Sequence, residues 1–114
     1  MPRDLILYLE EILESLTKVK NYTRGITFDH FEHDEFLQDA VIRNLEIIGE
    51  AIKQIPNDIK NKYNYPWKDV AGLRDILIHQ YFSISIEIIW DIIETELNPL
   101  IEIIKLLIKD ELGA

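Results

Sequence analysis

The apolar residues of this chain repeat at helical spacing almost from end to end, and that rhythm restricts the fold more than any other feature. Leu5, Leu9, Ile12, Leu16 and Val19 recur in steps of four and three, which places them on one face of a first helix. The segment NYTRG, with Gly25, offers its C-terminal break. Val41, Leu45, Ile48, Ile52 and Ile55 repeat the rhythm and predict a second helix over about residues 35–55, stopped by Pro56. The connection between them, ITFDHFEHDEF, reads as polar. NDIKNKYNYPW reads as a short turn of helix and then a loop, because Pro66 disfavours helix at Tyr65. A third helix carries AGLRDILIHQYF, residues 71–82. Ser85 caps a fourth at about 86–97, and Asn98 followed by Pro99 is a cap and first-residue signal for a fifth. No segment alternates as a strand does. The expected fold is all-α, an antiparallel bundle of four to five helices forming a single domain over residues 1–114.

The last two helices are apolar on more than one face. Ile84, Ile86, Ile88, Ile89, Trp90, Ile92 and Ile93 are followed by Leu100, Ile101, Ile103, Ile104, Leu106, Leu107 and Ile108. A helix apolar on two faces must bury both. In a domain of 114 residues a second subunit covers the extra face most economically, so a homodimer is expected. The alternative is that the isoleucines only thicken one core.

Composition narrows the partners. No cysteine is present, which removes disulfides and thiolate metal sites. No apolar run approaches the ~20 residues of a membrane span. MPRDLILYLEEILE turns acidic too early for a secretory signal, and a cytoplasmic location is expected. The net charge of −9 is unlike that of a protein holding nucleic acid by a basic face. The stretch from Lys53 to Arg74 nevertheless carries Lys60, Lys62 and Lys68 against Asp58 and Asp69 alone, so a local positive patch is compatible with an acidic whole.

Three constellations carry chemistry. In FDHFEHDEF, His30 and His33 stand among Asp29, Glu32, Asp34 and Glu35, ligand types that suit a transition metal. The simpler reading, favoured here, is a solvated acidic connection whose Asp34 caps the next helix, with no metal. In IRNLEIIGEA, Arg43, Glu46 and Glu50 share a polar stripe, and Gly49 costs about 1 kcal/mol in a helix interior. These are either a surface ion pair with a packing glycine or supports beside a site.

The third is AGLRDILIHQYF. Arg74 and Tyr81 are two turns apart and Asp75 and His79 one turn, so the four polar groups form a contiguous patch if the helix extends to Tyr81. Histidine is suited to proton transfer near neutral pH. Arginine matches a phosphate bidentately and stabilises charge in a phosphoryl transition state. Asp75 would orient His79, and Tyr81 offers a hydroxyl and a face for a base to stack on. Residue chemistry alone leaves both a site and an ordinary polar helix surface open as readings of this patch.

RDILIHQY fits the R-x4-H-x-Y signature of HepT toxins, a branch of the HEPN superfamily. AVIRNLEIIGEAIKQIP, YPWKDVAGLRDILIHQYF and SISIEIIWDII resemble three blocks of that family in order, covering about residues 34–97. The resemblance implies a small α-helical homodimer acting as the toxin of a toxin–antitoxin pair. It implies a metal-independent ribonuclease, without a cofactor, cutting RNA with Arg74 and His79 as catalytic residues and Asp75 in support. It also implies a cognate MntA-type minimal nucleotidyltransferase as antitoxin, silencing the toxin by transferring AMP to Tyr81. The competing readings are a non-catalytic module binding a nucleotide or that partner, and a purely structural helical dimer.

Overall fold

The computed structural model describes residues 3–79 and 85–113, and their side chains except those at positions 3, 74–76, 78 and 79. Among the described residues there are seven helices and no strand. They are α1 (Arg3–Thr23), α2 (Phe28–Glu32), α3 (Glu35–Lys53), α4 (Asn57–Lys60), α5 (Trp67–His79), α6 (Ile86–Thr95) and α7 (Leu97–Gly113). The molecule measures 45 × 29 × 22 Å.

The apolar rhythm of α1 becomes its buried face: Leu5, Leu9, Ile12, Leu16 and Val19 are each at most 1% exposed. At its end the Thr23 hydroxyl donates to the Val19 carbonyl at 2.8 Å. Gly25 then turns the chain at φ +72°, a conformation side chains with a Cβ rarely adopt. α3 packs against both α1 and α5, and α7 packs on α1. Val41, Leu45, Ile48, Ile52 and Ile55 are buried, as their spacing requires. Gly49 is buried with them.

Two boundaries differ from expectation. The connection before α3 is not purely polar but holds α2, started by Thr27, whose Oγ1 accepts from the His30 amide at 3.2 Å. What stabilises so short a helix is Phe31, fully buried with its ring 5.3 Å from that of Trp90. The second difference is at the α6–α7 break. α6 ends at Thr95 and α7 begins at Leu97, two residues ahead of the Asn98–Pro99 signal. The Leu100 amide already bonds the Glu96 carbonyl at 3.2 Å. Pro99 is tolerated there because the first-turn amides of a helix have no partner within the helix. Ser85 does cap α6, its hydroxyl accepting from the Glu87 amide at 3.2 Å.

The double apolar face of α6 and α7 divides. Ile89, Ile104 and Leu107 are fully buried, and Trp90 lies half-buried against α2. Ile88 and Leu106 remain 56% and 42% exposed. No helix among the described residues is long and apolar enough to cross a membrane.

Candidate functional site

The candidate site residues Arg74, Asp75 and His79 fall on α5, whose start is anchored by Trp67. The indole is nearly buried, and its Nε1 donates to the carbonyls of Lys60 at 3.1 Å and Tyr63 at 3.3 Å. The Tyr65 ring lies 5.0 Å away. The Pro66 carbonyl accepts from the amides of Asp69 and Val70, opening the helix directly after the proline. Two residues from its end, Leu77 is fully buried and clamps α5 to the core.

The backbone of Arg74, Asp75 and His79 therefore sits on one helix held at both ends. Arg74 and His79 are five residues apart, about 7.5 Å along the axis at ~1.5 Å per residue. Their side chains lie outside the described ones, and Tyr81 lies outside the described residues.

On α3, which packs against α5, the Arg43 guanidinium reaches the Glu46 carboxylate at 3.7 Å. Arg43 is well exposed and Glu46 largely covered. Such a pair is worth little by itself. Glu50, one turn on, is exposed and not isolated.

The lysine-bearing stretch before the motif is only partly free to act as a positive patch. Lys62 bonds Glu111 of α7 at 3.2 Å, and the Tyr63 hydroxyl donates to Asp110 at 3.3 Å. Burial pushes the Tyr63 phenol above its ordinary pKa, and the two carboxylates add to the shift. Burial pulls the Lys60 ammonium below its ordinary value. Lys68, in the first turn of α5, is exposed.

The histidine-rich segment behaves mainly as a cap and connection. Asp34 accepts from the Leu37 amide at 3.0 Å and from His30 Nε2 at 3.2 Å. His33 Nδ1 meets the Asp29 carbonyl at 2.8 Å. That contact, followed by the charges of Asp29 and Glu32, raises the His33 pKa. Asp29, Glu32 and His33 do bring ligand atoms within 4.8 Å of one another, but all three are exposed.

Comparison with known proteins decides the family. A family model described as "Ribonuclease HepT-like" matches residues 12–107. The chain belongs to the HepT-like ribonuclease family. It is 48% identical over 112 residues to "Putative RNase MJ0127" of Methanocaldococcus jannaschii, covering 96% of this chain and 93% of that protein. It is 44% identical over 94 residues to "Probable ribonuclease HepT" of Thermococcus cleftensis, covering 82% and 86%. A third relative is "Gamma-glutamylcyclotransferase and putative RNase MJ0434" of Methanocaldococcus jannaschii, 46% identical over 103 residues. The chain spans 46% of that relative's length. No solved structure matches. Family membership accords with the all-helical fold of the described residues.

Proposed function

We propose that this chain is a metal-independent endoribonuclease and the toxin of a type II-like toxin–antitoxin pair. The observation that carries the reading is the R-x4-H-x-Y motif, starting on a helix anchored at both ends, in a chain of the HepT-like ribonuclease family. His79 takes the proton of an RNA 2′-hydroxyl, and the oxygen attacks the adjacent phosphorus. Arg74 stabilises the charge that builds on the phosphoryl oxygens. The bond to the 5′-oxygen breaks, and that oxygen takes a proton from His79 of the partner subunit, acting as general acid. The products are a 2′,3′-cyclic phosphate and a 5′-hydroxyl. Asp75 holds the His79 ring in the working orientation, while Arg43 and Glu50 support α5 from α3.

One motif histidine per chain makes a homodimer part of this mechanism. The uncovered apolar side chains of α6 and α7, Ile88 and Leu106, support a second subunit there. The cognate MntA-type minimal nucleotidyltransferase would transfer AMP to Tyr81. A bulky anion seven residues along the chain from Arg74 would then crowd the motif and repel phosphate.

Incubating the purified chain with labelled single-stranded RNA and a chelator tests the reading. Fragments ending in 2′,3′-cyclic phosphate are expected. Binding without cleavage would instead favour a non-catalytic module. Mass gain at Tyr81 after mixing with the transferase tests the silencing step, and gain at any other residue refutes it.

A further inference from the structure

Between α5 and the α6–α7 junction the bundle leaves a cleft of about 270 Å³. Its lining is apolar at depth, where Leu16, Leu45 and Ile48 are almost fully buried. Val70 and Leu73 line it from α5, and Leu97 and Leu100 from α7. Two exposed carboxylates belong to the same cleft, Asp69 from α5 and Glu96 from the α6–α7 break. Tyr65 adds an aromatic ring. Among the described residues no lysine, arginine or histidine lines it.

These features select a ligand by exclusion. Among the described residues, an anion meets only like charge. A metal ion leaves the apolar depth unused. A neutral hydrocarbon leaves both carboxylates unmatched. An alkylammonium satisfies all three surfaces: methylenes gain about 0.8 kcal/mol each on burial, ammonium groups meet carboxylates, and a cation gains further over an aromatic face. The cleft has room for roughly nine water-sized groups, close to the about ten heavy atoms of spermidine.

We propose that this cleft binds an aliphatic polyamine, its hydrocarbon chain on the half-buried Val70, Leu73 and Ile92 and its ammonium groups at Asp69 and Glu96. Burial, then the charge of Glu96, pushes the Tyr65 phenol above its ordinary pKa, as a negative, partly dry mouth would. Bound polyamine would bring positive charge onto a chain of net charge −9, on the helix that carries Arg74.

Calorimetric titration of the full chain with spermidine at physiological salt tests this, with magnesium and 1-hexanol as separate titrants. Saturable binding of one spermidine per chain is expected, at least tenfold tighter than either control. The double variant Asp69→Asn/Glu96→Gln should lose at least tenfold in affinity, and Val70→Trp, which fills the cleft, should abolish binding. Asp69 and Glu96 are exposed, so the carboxylate variant decides the matter if Val70→Trp fails to fold. Equal spermidine affinity in wild type and the carboxylate variant overturns the proposal, as does displacement by magnesium at equal charge concentration. No RNA is present in the titration, so failure here leaves the ribonuclease reading standing.

Discussion

Replacing Trp67 by phenylalanine keeps an aromatic ring at the start of α5 but removes the donor that ties it to the preceding turn. The indole Nε1 is shared between the carbonyls of Lys60 at 3.1 Å and Tyr63 at 3.3 Å. A shared bond of this kind is worth about 1 kcal/mol net. Trp67 is 7% exposed, so the smaller ring also leaves a gap beside Tyr65. Full truncation of a buried Trp or Phe costs ~3–5 kcal/mol, and losing part of the ring costs about 1 kcal/mol. Trp67→Phe should therefore lose about 2 kcal/mol. With a urea slope of ~2 kcal/mol/M, the midpoint should fall by about 1 M at unchanged slope. Denaturation at one fixed protein concentration, followed by helical circular dichroism and by the fluorescence of Trp90, reads this directly. Protomer concentration must be held because dimerisation would add to apparent stability. A loss below about 0.5 kcal/mol would refute the anchoring role of the indole N–H and with it the account of how α5 is positioned.

Three further outcomes are expected. Among the described residues, a Cβ added at Gly72 of α5 meets nothing within 4 Å, so Gly72→Ala should stabilise the chain by about 1 kcal/mol in urea denaturation; a loss of stability would contradict the open space there. Ile88→Lys, at a side chain 56% exposed, should leave the helical signal intact while light scattering shows a dimer turning into a monomer; an unchanged mass would remove α6 from the subunit contact. His33 should titrate above 6.5 in NMR, and Asp29→Asn should remove only part of the upward shift, because the carbonyl of residue 29 remains. The sign follows from the raised value: the small stabilisation from this contact is complete below pH 6.5 and is lost as pH rises through the folded-state pKa.

The long helices were legible because their apolar period is unbroken. Leu5 to Val19 and Val41 to Ile55 are buried in the order their spacing dictates, and Gly25 marks the end of α1 and Ser85 the start of α6 by local chemistry alone. α2 was not legible, because what stabilises it is distant in sequence: Phe31 is buried under Trp90. The α6–α7 break was misplaced by two residues because Pro99 is tolerated anywhere in a first turn, so it marks a helix start only loosely. The placement of Arg74, Asp75 and His79 on one helix was legible from spacing, whereas the continuation to Tyr81 falls outside the described residues. The cleft was invisible in the sequence, since residues from five helices line it and neither Asp69 nor Glu96 stands in a motif.

The central claim is that Arg74 and His79 do the chemistry. The direct test is the single-turnover rate of cleavage of one single-stranded RNA at pH 7 by wild type, Arg74→Ala and His79→Ala, each with its helical content verified. General acid–base catalysis contributes typically ~10²–10⁴-fold, so His79→Ala should slow cleavage by at least about a hundredfold, with Arg74→Ala comparably impaired and both still folded. A folded His79→Ala protein that cuts RNA at the wild-type rate would contradict the account.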